Sequence, residues 1–354
     1  MHIGIVGQGL AGTLMAFRLM QEGLRISVID PGGENSSTIA SGLINPVTGR
    51  KYVKSWQADR LLEIADRVYP AMEELLNISC YFHRPLFRML HDHQQAELWM
   101  QRAILPGYEA YLSPDVEFWK AENSGLRRST EVGKVYEARW LDTEKLLNTF
   151  RQYLLDTDRL FPVAWKPQDT IIGDLHIQWK DNLFDYLLFA EGSGIVNNPY
   201  FNWLPIQPSK GERLLINCPS SLDQTMKASY FIIPYRAANT YWIGSPTDFN
   251  ATDDQPSPRG KQLLEEHINH WLSDSYTILD HAAAFRPASR DRRPIIGFHP
   301  GHPRLGVLNG LGTKGVSIAP YIADLMVGHI KNQYPLPGEV DINRFTYPYE
   351  TKSR

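Results

Sequence analysis

The chain has 354 residues, 43% of them hydrophobic, which suits two domains, or one domain with a large insertion, around a sizeable core. Its 36 basic residues are balanced by 39 acidic ones, so a broad nucleic-acid or polyanion surface is not indicated. The two cysteines, Cys80 and Cys218, form no CxxC and no disulfide framework, so a reducing, cytoplasmic setting is expected, and no apolar run approaches the roughly 18 residues of a membrane span.

Ile3 to Val6 reads as a buried strand, beginning too early to leave room for a presequence. Gly7, Gly9 and Gly12 follow as G-x-G-x-x-G, and residues 13–21 have helical spacing, with Leu14, Phe17 and Leu19 apolar. Residues 25–29 form a second strand that ends at Asp30. Each glycine has a physical task. Gly7 allows the tight turn, Gly9 lets a pyrophosphate approach the backbone, and Gly12 lets helix and strand pack closely. The helix N-terminus offers free N–H donors to phosphate, and Asp30 would accept bonds from ribose hydroxyls. Strand, turn, helix, strand and acid together predict a dinucleotide site, without saying which dinucleotide.

Further along, a small polar loop of residues 31–38 leads to Ile39–Arg50. A helix is expected over about 57–76, with Leu61, Leu62, Ala65, Val68 and Leu75 buried. Residues 81–136 show no clear period. Asp142 reads as the N-cap of a helix ending near Leu155. Residues 175–179 alternate like a strand, and the continuous apolar run 186–190 reads as a buried parallel strand that delivers Glu191-Gly192 to a ligand edge. Three β-rich segments, 211–216, 230–235 and 240–244, suggest an antiparallel sheet, and 262–272 a helix. After Phe285–Gly297 come a strand at 305–308, the stretch Asn309–Gly315 and a helix to residue 330. The nucleotide-binding parts lie at both ends of the chain. The expected division is therefore residues 1–79, 137–199 and 281–354 against an inserted domain of 80–136 and 200–280. His299-Pro300-Gly301-His302 supplies two histidines without a third ligand and reads as a polar loop, not a metal site.

Four stretches make the chain resemble the D-amino-acid oxidase superfamily of FAD-dependent amine oxidoreductases, which includes glycine and sarcosine oxidases. They are Gly7–Gly12 with Asp30; the loop from Thr38 to Asn45; Phe189-Ala190-Glu191-Gly192; and Arg286-Pro287 with Asp291, Pro294 and Gly297, followed by Gly310-Leu311-Gly312-Thr313-Lys314-Gly315 and Ala319-Pro320. The match covers roughly the first 60 and the last 70 residues, and the middle matches only in pattern. The resemblance implies an α/β fold: a Rossmann-like FAD-binding domain with an inserted α+β substrate domain built on an antiparallel sheet. It implies cofactor contacts from Gly7, Gly9, Leu10, Ala11, Gly12, Asp30, Thr38, Gly42, Leu43, Gly192, Gly310, Gly312, Thr313, Lys314, Gly315 and Val316. With no cysteine after Cys218, the FAD is expected to be noncovalent.

The residues expected at the reaction itself are Arg286, Lys314, Tyr230 and Arg50. Arg286 matches the arginine that clamps the substrate carboxylate, a task that suits a bidentate guanidinium. The helix N-terminus after Gly315 and the Lys314 ammonium would stabilise negative charge at flavin N1 and O2. Arg50 and Lys54 follow the flavin loop and could add positive charge. The glycine oxidase tyrosine falls at Phe231 with Tyr230 beside it. Trp242 stands where sarcosine oxidases carry an oxygen-activating lysine, which implies faster turnover with an artificial acceptor than with oxygen. The function implied is oxidation of the C–N bond of a small amino acid or N-substituted amino acid by hydride transfer to flavin N5. Flavin-dependent modification of a tRNA wobble uridine, and non-catalytic FAD binding, stand as alternatives. The expected partner is a small carboxylate-bearing amine, with no nucleic acid; the oligomeric state, a homo-oligomer included, is left open.

Overall fold

The structure, a computed structural model, describes residues 1–220 and 222–348. After His2, the strand His2–Val6 is apolar and buried because it lies inside a six-stranded sheet covered on both faces. Leu160–Phe161, Arg25–Ile29, His2–Val6, Tyr186–Phe189 and His302–Asn309 run parallel in that order, and Ile295–His299 closes one edge antiparallel. Ile3, Ile5, Leu188 and Leu308 face a layer of helices formed by Leu10–Gln21, Gly315–Asn332 and Ala58–Leu76. Val6, Leu187, Phe189 and Val307 face the other way, onto Ile177, Trp179 and Phe184 of a small antiparallel sheet, Thr170–Ile172, Ile177–Trp179 and Asn182–Phe184. Alternate side chains of each parallel strand thus bury themselves in different layers.

The second large sheet has eight strands, ordered Thr277–Ser289, Ile206–Asn217, Thr240–Asp248, Phe231–Pro234, Thr225–Lys227, Leu86–Leu90, Thr130–Val135 and Glu117–Trp119. Neighbours are antiparallel except Thr225–Lys227 with Leu86–Leu90. Leu214, Ile216, Met226, Ile232 and Ile243 point to one face and pack under Leu264, Ile268 and Trp271 of the helix Pro258–Trp271. Ser257 caps that helix, its hydroxyl accepting from Gly260 N–H at 3.0 Å. Arg213, Lys227, Phe231 and Trp242 take the opposite face.

Most expected elements form close to their expected bounds, but three details differ. Leu75 is 39% exposed. The buried stripe of its helix is Leu61, Leu62, Ala65, Val68, Tyr69 and Met72, and Leu75 lies roughly 80° round the helix from the middle of that stripe, where Leu76 takes its place. The featureless stretch 81–136 contributes three strands to the large sheet and the helix His93–Ala103. The segment carrying Arg286-Pro287 is a 13-residue strand, Thr277–Ser289, at the sheet's edge, where a proline costs no ladder bond. The boundary expected between 280 and 281 falls inside this strand.

One contact fixes the entry to the first helix. A Cβ on Gly12 would lie 1.9 Å from the Gly7 carbonyl oxygen. Backbone cannot yield there as a flexible side chain can, so Gly12→Ala should destabilise the protein by at least about 1–3 kcal/mol. The readout is the urea midpoint, and an unchanged midpoint would show that the turn opens freely.

Candidate active site

The carboxyl ends of the parallel strands and the uncovered face of the eight-stranded sheet enclose a cleft of about 710 Å³. This is the edge where open α/β sheets hold ligands. The glycine turn lines one end. Gly7 has φ +97°, and a Cβ there would meet the Ala190 carbonyl oxygen at 2.6 Å, so only glycine closes the turn. At Gly9 a Cβ would meet only Ser37, at 3.1 Å, so this position opens into the cleft. Gly9 caps Leu10–Gln21 without a side chain, and no acidic residue occupies the first turn. Asp30 accepts from Gln8 N–H at 2.8 Å, from Gly32 N–H at 2.7 Å and from Arg151 at 2.8 Å, leaving carboxylate capacity toward the cleft. Glu191 also lines this end, and Asn198 donates to it at 2.6 Å. Burial pushes its carboxyl up to about 7.

A second helix N-terminus faces the same cleft. Gly312, Thr313, Gly315 and Val316 line it, and Gly315–Asn332 has neither a capping side chain nor an acid in its first turn. Between the two helix ends runs the loop Asn35–Leu43, held by two indoles. Trp140 donates to Ser41 O at 2.9 Å and Trp242 to Ile39 O at 3.1 Å. Gly42 adopts φ +75° with the Leu141 carbonyl against it.

The sheet supplies the remaining wall. Arg286 leaves the edge strand opposite Ser209 and lies across Gly211, where a Cβ would come within 2.0 Å of its guanidinium. It donates to Thr247 Oγ1 at 3.1 Å and to Ser245 Oγ. Burial lowers it to about 10, so it stays charged at neutral pH. Lys227 also lines this wall, 4.2 Å from the centre of the Phe231 ring.

Of the expected cofactor contacts, Gly7, Gly9, Leu10, Ala11, Asp30, Gly42, Leu43, Gly192, Gly312, Thr313, Gly315 and Val316 line the cleft, and so does Arg286. The others stand elsewhere, each for a physical reason. Gly12 is folded against Gly7, and the Thr38 hydroxyl is consumed by a turn with Asn35, so Asn35 and Ser37 line the cleft instead. Gly310 closes a turn at φ +76° under the Asn309 side chain. Lys314 turns its ammonium to Ser55 Oγ at 2.9 Å. Tyr230 precedes the strand that carries Phe231 and sets its ring against His267, outside the cleft lining. Arg50 is exposed in a hairpin turn, and Lys54 is paired with Asp59 at 2.7 Å. Sequence reasoning missed Lys227, Gly211, Ser245, Thr247 and Arg151. The only signal for Lys227 was the alternation Met226-Lys227 in a strand three residues long.

The family model described as DAO, FAD dependent oxidoreductase, matches residues 2–328. The chain belongs to this family. Glycine oxidase of Pseudomonas aeruginosa is 24% identical over 360 residues, covering 92% of this chain and 95% of that protein. The tRNA 5-methylaminomethyl-2-thiouridine biosynthesis bifunctional protein MnmC of Acinetobacter baylyi is 21% identical over 363 residues, which is 93% of this chain and 52% of that protein. Among solved structures, glycine oxidase from Geobacillus kaustophilus superposes with a TM-score of 0.78 at 17% identity, over 94% of this chain and 95% of that one, a likeness of fold.

This family's cofactor is FAD, and the residues present fit it. Two uncapped helix N-termini suit its anionic groups, the open face at Gly9 admits a diphosphate, and Asp30 retains acceptor capacity for a ribose. No group of three or more His, Cys, Asp or Glu suited to a metal occurs among the described residues, nor any helix long and apolar enough to cross a membrane. His299 and His302 lie 4.9 Å apart with their rings tilted, among aromatic rings, and His299 Nδ1 accepts from Gly301 N–H.

Gly9→Val should yield a folded protein without flavin, because the new side chain occupies the open side of the turn; full flavin content after purification would contradict this. Glu191 gives a pH signature. Its folded carboxyl binds the proton more tightly than the unfolded chain's, so its ionisation weakens the fold as pH rises from about 4.5 to about 7. Glu191→Gln should match the wild-type apoprotein near pH 4 and exceed its stability near pH 8 by on the order of 3 kcal/mol. Denaturant unfolding at the two pH values measures it, and a constant difference would contradict it.

Proposed function

We propose that the protein oxidises the C–N bond of a small amino acid or N-substituted amino acid whose carboxylate is held by Arg286. The observation that carries this reading is the guanidinium itself. It is partly buried, it lines the cofactor cleft, and among the described residues its hydrogen-bond partners are the neutral hydroxyls of Ser245 and Thr247. A buried guanidinium without a counter-anion is costly, and a ligand carboxylate satisfies it bidentately. Ser245 and Thr247 fix its plane, and Gly211 leaves the space it occupies. Phe231 and Trp242 keep the neighbouring wall apolar, which excludes water from the reacting carbon. FAD, held by the glycine turn at Gly7 and Gly9 and by the second helix N-terminus, would supply the two-electron acceptor, while Arg286 would fix the carboxylate so that the α-carbon faces it; the imine so formed would hydrolyse in water. An amine that binds neutral needs no protein base. The FAD is held noncovalently in this reading; neither Cys80 nor Cys218 lines the cleft, and burial pushes the Cys80 thiol up to about 12.

Carboxylate binding to the FAD-loaded protein tests the proposal, read from flavin absorbance on titration with benzoate or acetate. Removing one side of a buried charged pair costs about 3–5 kcal/mol, roughly two to four decades. Arg286→Ala should therefore lose that affinity while keeping FAD, and Arg286→Lys should recover only part of it. Gly211→Ala should act like a partial Arg286 deletion, because its methyl group displaces the guanidinium without removing it. Equal carboxylate affinity in wild type and Arg286→Ala would overturn the assignment.

A further inference from the structure

Among the described residues, Arg286 is not the only cation of the cleft without an anionic partner. Arg151 pairs with Asp30 at 2.8 Å, Arg213 with Asp280 at 2.7 Å and Lys210 with Asp253 at 3.2 Å. Lys227 has no carboxylate partner among the described residues. Its ammonium donates to the Ser229 carbonyl at 2.6 Å and lies over the Phe231 ring.

The sheet brings the two cations together. Arg286 starts on the edge strand, crosses Gly211 and ends over Ser245 and Thr247, on the third strand. Lys227 starts on the fifth strand and leans over Phe231, on the fourth, and Phe231 pairs with Gly244 on the third. The charged ends therefore stand one to two strand spacings apart across the sheet and one to three residues apart along it, on the order of 10 Å. A short amino dicarboxylic or imino dicarboxylic acid spans that interval. We infer that the substrate carries two carboxylates, one held by Arg286 and the second by Lys227. This rests on the Arg286 reading and narrows its substrate class.

The surroundings of Lys227 support the assignment. Arg88 is its register partner on the next strand, His267 lies on the helix beneath, with Tyr230 against it, and Glu212, which also lines the cleft, is bound by Ser257 and His281. Burial first, and Arg88 second, lower the ammonium to about 7, while burial holds His267 neutral, down to about 3. A second carboxylate replaces the missing counter-charge. It binds the protonated lysine, so its contribution is present below about pH 7 and declines above it.

Dissociation constants of succinate and propionate for the FAD-loaded protein, read from flavin absorbance at about pH 6 and about pH 8.5, test this. Succinate should bind roughly ten- to a hundredfold more tightly than propionate at the lower pH, with a smaller preference at the higher one. Lys227→Gln should abolish the preference while propionate binding persists. Equal wild-type affinities, or a preference that survives Lys227→Gln, would overturn the inference and leave the Arg286 assignment standing. If neither acid binds, both fail. Should Lys227→Gln not retain flavin, the wild-type preference and its pH dependence still decide the question.

Discussion

The Gly7 carbonyl oxygen sits where a side chain of residue 12 would begin. That single close approach sets the direction of the first helix, and much of the site follows from it. Because the helix starts hard against the strand, its unsatisfied N–H groups point along the carboxyl edge of the sheet. Ala190 and Glu191 close over the same turn, with Gly7 yielding the space, so two neighbouring parallel strands deliver their ends to one place. The last helix arrives there too, after the neighbouring strand His302–Asn309, and adds a second positive end.

The other half of the cleft depends on how the large antiparallel sheet divides its side chains. One face is buried beneath Pro258–Trp271, which frees the other to present Arg213, Lys227, Phe231 and Trp242. Trp242 then does more than fill space. Its indole N–H holds Ile39 O, and Trp140 holds Ser41 O, so the loop over the cofactor cleft is tied to groups outside the nucleotide-binding sheet. The position expected to lack an oxygen-activating lysine thus has a bracing task, while the cleft's lysine comes from a strand two places away.

The nucleotide half was legible because its physics is local. Gly7, Gly9 and Gly12 lie within six residues, and the continuous runs 3–6 and 186–189 announce strands buried on both faces. The sheet wall of the cleft was less legible because it is assembled across strands. Arg286 was found by resemblance, but its strand, rich in alanine and containing Pro287, carries little β signal. Lys227 sits on a strand too short to show a period, and Gly211 matters only because a guanidinium from another strand crosses it. Tyr230 and Phe231 show the cost of a one-residue shift: the neighbouring side chain leaves the cleft. Lys314 lies in the expected place in sequence, yet finds Ser55 Oγ instead of the cleft.

The central claim is that this cleft holds FAD beside a carboxylate-bearing amine that it oxidises. The direct measurement is anaerobic mixing of the purified yellow protein with a panel of amino acids, N-substituted amino acids and amino dicarboxylic acids, following the flavin absorbance. Bleaching by at least one such amine, matched by a stoichiometric keto acid or aldehyde product, is the predicted result. An oxidised flavin that none of them reduces, while dithionite reduces it readily, would contradict the account.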